Sequence, residues 1–123
     1  MAEHKSPALT VAMAFHKAWT GKDLDLAMSY VSDDIVCEAP PGRIEGKEQY
    51  RAFWAPFLRI FTNSEVIAGF GDDDTALLMY DAHSTLVASA LTAEWFAIKE
   101  GKISQSRIIF DRVPFDPARK AAG

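Results

Sequence analysis

The sequence predicts a single α+β domain, and three observations carry that assignment. Three stretches in the first half place apolar side chains at the three-and-four spacing of a helix face, and from residue 64 the pattern changes to alternation. The alternating runs are separated by turn residues, at GFGDDD (69–74), around Ser84 and at KEGK (99–102), with no helical pattern between them. Strands so connected pair antiparallel and do not form βαβ units. A chain of 123 residues supports one core, which buries roughly two-thirds of the unfolded surface, and neither a repeat nor a linker divides it.

The elements follow in order. Ser6 and Pro7 form a cap and first-turn pair, and Ala8, Val11, Ala12, Phe15, Ala18 and Trp19 make one face of a first helix ending near Gly21. Asp23 caps a short second helix in which Leu24, Ala27, Met28 and Val31 repeat the pattern, and Asp33-Asp34 close it. The apolar run IVCEA (35–39) is a strand that ends at Pro40-Pro41-Gly42. A third helix carries the stripe Tyr50, Phe53, Trp54, Phe57, Leu58 and Phe61, with Pro56 off the stripe, where it kinks the helix. Four strands follow at about 64–70, 75–84, 88–99 and 102–113, and the polar DPARKAAG at the end is a tail.

Composition excludes several classes of function. A net charge of -4 offers nothing to a phosphate backbone, so nucleic acid is not an expected partner. The apolar run ALTVAMAF (8–15) is too short to span a bilayer and lacks a signal-peptide pattern, which places the protein in the cytoplasm and off the membrane. Cys37, the single cysteine, permits neither an internal disulfide nor an all-cysteine metal site. On an apolar strand it reads as core filling, and it becomes a nucleophile only if a histidine meets it. The G-x-G of GFGDDD lacks the third glycine and the following helix of a dinucleotide site, so a hairpin turn explains it.

The order of elements, together with DLDLAMSYVSDDIVCEAPPGRIEGKEQYRAFW (23–54), resembles the SnoaL-like members of the nuclear-transport-factor-2-like superfamily, over nearly the whole chain. That resemblance implies a cystatin-like α+β roll: a strongly bent, mostly antiparallel sheet wrapped into a cone, with three N-terminal helices covering an apolar pocket. The superfamily hosts isomerases, cyclases, hydrolases and dehydratases, and the fold does not choose among them.

The run from Phe15 to Pro40 aligns without gaps with the start of ketosteroid isomerases. The family's general base, an aspartate on the first strand, falls on Ala39, and its oxyanion tyrosine falls on Phe15. Alternation turns Ile35, Cys37 and Ala39 inward, so Glu38 is a solvated or salt-bridged carboxylate on the outer face. The family's second acid aligns with Glu94, which shares a face with Thr92, Phe96 and Ile98. Such a setting raises a carboxyl pKa by desolvation and suits an acid or base. If the register is shifted by one, Trp95 faces inward and Glu94 outward. Limonene-epoxide-hydrolase-like enzymes place a base three residues before a last-strand aspartate; here Asp111 is preceded at that position by Ile108, which disfavours their reaction.

Asp81 and His83 lie two apart on a strand and share a face, as an acid-base pair or as two ligands of a metal lacking a third. His4 and His16 show no ligand spacing, so no metal is expected. In the alternative register Leu78, Tyr80 and Ala82 face the core instead. The expected site thus has Glu94, Asp81 and His83 as catalytic groups. Its walls are Phe15, Trp19, Cys37, Ala39, Trp54, Phe57, Phe96, Ser106, Ile108 and Phe110, around a small hydrophobic molecule and with no cofactor. The resemblance also implies a homodimer through the outer sheet face, for which Leu78, Tyr80, Leu91, Ala93 and Trp95 form an apolar set.

Overall fold

A computed structural model describes residues 6–115; His4 and the segment 116–123 lie outside the described residues. Helix α1 (Pro7–Thr20) starts as expected at Ser6, whose hydroxyl accepts from the Leu9 N–H, and α2 spans Leu24–Met28 behind the Asp23 cap. Strands β1 (Val31–Ala39) and β2 (Gly42–Glu45) precede α3 (Lys47–Ile60), after which come β3 (Phe61–Gly71), β4 (Thr75–Ser84), β5 (Ala90–Lys99) and β6 (Lys102–Phe110). The sheet runs β2-β1-β6-β5-β4-β3; β1 and β6 are parallel and every other pair is antiparallel.

Several boundaries differ from the sequence reading, each for a local reason. The second helix stops at Met28 because Val31 already pairs with Ile103 of β6 and is buried. A register shift between Val31 and Val36 lets Asp33 and Asp34 stay exposed inside the strand. Four residues are too few to show an alternation, so the sequence pattern does not reveal β2; its hairpin with β1 turns at Pro40-Pro41, and Gly42, the first residue of β2, has a φ of 143° that suits glycine. Phe61 ends the aromatic stripe as the first residue of β3, and α3 continues through Pro56. β6 ends at Phe110, where Asp111 turns the chain by accepting from the Val113 N–H.

Register shifts within β3, β5 and β1 bend the sheet around the helices. Helix α1 lies across β3, β4 and β5, while α3 packs on β1 and β2. The G-x-G of GFG sits where α1 meets β3: a Cβ on Gly71 would lie 2.5 Å from the Ser6 hydroxyl and 3.0 Å from the Thr75 carbonyl. Glycine is needed there for close approach, in addition to the hairpin beside it.

Inside the curve, Phe15, Trp19, Tyr50, Trp54, Phe61 and Phe96 form one aromatic core; Trp19 lies 4.6 Å from Trp54 and 5.0 Å from Phe61 between ring centroids. Outside it, Phe70, Leu77, Met79, Leu91 and Ile109 are exposed. Leu91, Ala93 and Trp95 of the expected outer set lie on this face, but two members do not. Leu78 and Tyr80 point into the core, and Leu77 and Met79 take their places outside. No helix among the described residues is long and apolar enough to cross a membrane.

Candidate active site

Strand register settles which face each candidate occupies. Leu78, Glu94 and Ile108 are cross-strand neighbours on β4, β5 and β6, and all three are buried. Glu94 has no exposed surface. Its Oε1 accepts from the Tyr80 hydroxyl at 2.9 Å, while Oε2 has no hydrogen-bond partner among the described residues. Burial pushes its pKa from the ordinary carboxyl range up to about 8, against the opposing pull of the Tyr80 hydrogen bond. At neutral pH Glu94 is therefore mostly a neutral acid.

A polar cluster surrounds it. The Tyr50 hydroxyl, the Ser106 hydroxyl and the Trp54 indole N–H are buried and, like Glu94 Oε2, lack a partner of normal hydrogen-bond geometry. Ser106 and Trp54 are nonetheless near enough to favour the ionised Tyr50, but burial and the Glu94 charge outweigh them and hold its pKa well above 10. Burial and Glu94 do the same to Tyr80. Burial, reinforced by Glu94, raises the Cys37 thiol to about 12, which makes it inert as a nucleophile. Each unsatisfied buried polar atom costs roughly 1–3 kcal/mol, so their concentration around one carboxyl, with His16 Nδ1 and Trp19 Nε1 also unsatisfied nearby, makes this a candidate site.

A cavity of about 280 Å³ adjoins this cluster. Helix α3 contributes Phe53, Trp54, Pro56, Phe57 and Ile60; the sheet contributes Tyr80, Ala82, Ala90, Thr92, Ile108 and Phe110; Pro41, Arg112 and Phe115 complete it. Glu94 is not part of the wall. It stands behind it, and Tyr80 both lines the cavity and holds the Glu94 carboxyl.

Of the expected wall, Trp54, Phe57, Ile108 and Phe110 line the cavity. Phe15, Trp19, Cys37, Phe96 and Ser106 do not: they are buried in the packed interior, because α1 closes tightly on α3 and leaves no space along Trp19. Ala39 is also displaced from the wall, and Pro41 beyond it takes part instead. Asp81 and His83 need a larger correction. They sit on the outer face, since Leu78, Tyr80 and Ala82 take the inner one. There His83 Nε2 lies 2.9 Å from Glu65 Oε1 and Nδ1 lies 2.6 Å from the Ala88 carbonyl, while Asp81 accepts from the Ser89 hydroxyl at 2.7 Å. Among the described residues neither makes a hydrogen bond with Glu94. Glu38 is on the outer face too, 3.4 Å from Arg107.

Tyr80, Tyr50 and Arg112 were not among the expected site residues. The signal for Tyr80 was present in its alternation with Leu78 and Ala82. Tyr50, which stacks 6.1 Å from Phe15, was visible only as one more aromatic on a helical stripe. Between them β4 and α3 place buried phenols near the carboxyl although Phe15 itself has no hydroxyl.

The arrangement can move a proton. A protonated Glu94 can donate to Tyr80 once the phenol turns its own proton to another oxygen, so neither buried group has to carry a full charge alone. Ionised Glu94 can take the proton back by the same route.

The SnoaL-like domain model matches residues 12–106 of the chain. No curated protein matches it. Among solved structures, a protein from Kribbella flavida DSM 17836 is 51% identical, with a TM-score of 0.93 over 96% of this chain and 98% of that one. An NTF2-like protein from Cytophaga hutchinsonii ATCC 33406 is 18% identical, with a TM-score of 0.77 over 94% of this chain and 99% of that one. An LEH-like epoxide hydrolase from M. tuberculosis is 18% identical, with a TM-score of 0.73 over 91% and 88%. The last two establish similarity of fold alone.

Proposed function

The chain belongs to the SnoaL-like domain family, and on that premise we propose that it is a cytoplasmic protein that binds a small, hydrophobic carbonyl compound and moves a proton on it through Tyr80 and Glu94. The observation that carries this reading is the buried 2.9 Å hydrogen bond between a cavity-lining phenol and a carboxyl held largely neutral by burial. The apolar wall favours a flat organic skeleton, and the hydroxyl of Tyr80 is suited to its oxygen. A preorganised donor backed by a neutral acid stabilises an enolate as charge develops on that oxygen. Among the described residues the cavity wall carries no carboxylate or imidazole, so the carbon-bound proton passes to solvent water and the exchange is acid-assisted. Hydrolysis of an epoxide, as named for the M. tuberculosis structure, fits less well, because Ile108 occupies the position where a base would activate water.

The test is proton exchange at the carbon next to the carbonyl, followed by NMR in D2O with a panel of cyclic enones. Exchange should be catalysed by the wild type and fall at least about 100-fold in Glu94→Gln, with the circular dichroism spectrum unchanged. Equal exchange by both proteins would remove Glu94 from the mechanism. Binding without exchange in the wild type would leave a ligand carrier.

A second reading concerns assembly and is compatible with the first. The in-register row Met79, Ala93 and Ile109, flanked by Leu77 and Leu91, forms a contiguous apolar stripe on the outer face. Burying such a stripe against a second copy is the expected use of it. We expect a dimer in sedimentation at micromolar concentration, shifted toward monomer by Ile109→Lys; a monomeric wild type would sink this reading.

A further inference from the structure

Asp81 and His83 were one ligand short of a metal site in the sequence, and the sheet register supplies the third. Glu65 on β3 is the direct cross-strand partner of Asp81, and His83 follows two residues later on the same face. One ligand atom from each of the three lies within 4.8 Å of the others. We propose that Glu65, Asp81 and His83 form a binding site for a divalent transition-metal ion of the zinc type, on the outer face of the sheet and apart from the cavity.

The argument begins with the imidazole. Its Nδ1 lies 2.6 Å from the Ala88 carbonyl, and a carbonyl only accepts, so Nδ1 carries a proton. Nε2 is then the ring nitrogen that faces Glu65 Oε1, at 2.9 Å, and that contact is bridged either by a proton or by a metal ion.

Two features favour the metal. A second carboxylate, Asp81, stands in the same group and is oriented by the Ser89 hydroxyl at 2.7 Å, so the cluster offers a metal ion three ligand atoms and not two. In addition, a backbone carbonyl on Nδ1 is the usual outer-shell arrangement for a histidine that ligates through Nε2, since it fixes both tautomer and ring plane.

The donor set defines the ion class. One imidazole and two carboxylates suit zinc, cobalt or nickel; without a thiolate the site is unsuited to copper(I), and with so few oxygens it is unsuited to calcium. Bonds of about 2.0–2.1 Å in a tetrahedral arrangement place ligand atoms roughly 3.3 Å apart. Glu65 therefore has to retreat by about 0.4 Å, which its mostly exposed side chain permits. All three ligands stand on β3 and β4, so little order has to be gained on binding. With three protein ligands, the remaining positions fall to water or to a ligand from another molecule.

The experiment is calorimetric titration of the tag-free, chelator-treated full chain with zinc chloride at pH 7.5, alongside His83→Gln and Glu65→Gln. Near-UV circular dichroism would verify that each variant is folded. One ion per chain should bind with a micromolar Kd, weakened at least tenfold in either variant, and the His83 Nε2 resonance should move on zinc addition while Nδ1 keeps its proton. Three results overturn the proposal: no stoichiometric binding, binding that survives His83→Gln unchanged, or a His83 ring that stays doubly protonated in saturating zinc. The last would assign the cluster to an imidazolium bridge between His83 and Glu65.

Discussion

Replacing Glu94 with Gln should remove from the pH dependence of stability a loss of several kcal/mol that Glu94 contributes between pH 5 and pH 9. In the unfolded chain a glutamate gives up its proton near its ordinary value of 4.5, whereas in the folded protein burial defers this to about 8. Between those values the native state holds one proton more than the unfolded state, so stability falls as pH rises. The contribution is fully present below about 4.5, declines through the window, and is lost once pH passes about 8. At about 1.4 kcal/mol per unit the loss is on the order of 5 kcal/mol, an upper figure that relaxation around the charge reduces. Gln keeps a neutral acceptor for the Tyr80 hydroxyl and has no proton to lose. Urea denaturation at pH 5, 7 and 9 should thus find the two proteins within about 1 kcal/mol at pH 5 and the variant clearly more stable at pH 9. Parallel profiles would mean that Glu94 ionises as an exposed carboxylate does. Tyr80→Phe supplies the complementary arm: the hydrogen bond from Tyr80 lowers the Glu94 pKa, so removing the hydroxyl should move the titration further up.

The comparison of sequence with structure follows what alternation can and cannot specify. Long periodic segments fixed α1, α3 and the later strands, because their buried faces repeat over many residues. On β1 and β5 a single family-matched position set the phase, and Cys37 and Glu94 do point inward while Glu38 points outward. On β5 the opposite phase, with Trp95 inward, was also open, and on β4 two phases were open without a family-matched position to choose between them. The sequence YDAHST offers polar chemistry on one face and apolar bulk on the other, and only cross-strand pairing with β5, where Leu78 meets Glu94 and Tyr80 meets Thr92, chooses between them. Once it does, the polar pair leaves the site and the phenol enters it. The pocket wall was harder still to read. An aromatic on the inner side of a helix may face either solid core or open cavity by the same pattern, and close packing of Trp19 on Trp54 is what converts Phe15, Trp19 and Phe96 from wall into core. Glu65 could not be found as a partner of His83 at all, since they are 18 residues apart and meet only through strand pairing.

Trp19→Ala should destabilise the protein by about 3–5 kcal/mol, the range for deleting a fully buried tryptophan. Trp19 has no exposed surface and lies within 6.0 Å, between ring centroids, of His16, Trp54, Phe57, Phe61 and Tyr80. Those rings belong to α1, α3, β3 and β4, so no single movement can close the gap, and the cavity penalty adds to the lost transfer energy. Trp19→Phe, which keeps an aromatic body, should cost substantially less. The position also supports the candidate site from behind: Trp54, Phe57 and Tyr80 line the cavity on one side and rest on Trp19 on the other. Truncation should therefore weaken binding of an apolar ligand in conditions where the variant is still folded, since its wall loses a fixed backing. Burial holds the neighbouring His16 neutral, with a pKa lowered to about 4, and water entering beside it should raise that value. Chemical denaturation gives the stability change and histidine NMR titration gives the second. A cost below about 1 kcal/mol with His16 unmoved would mean that α1 does not rest on this ring, and that the wall of the cavity is held in place by α3 and the sheet alone.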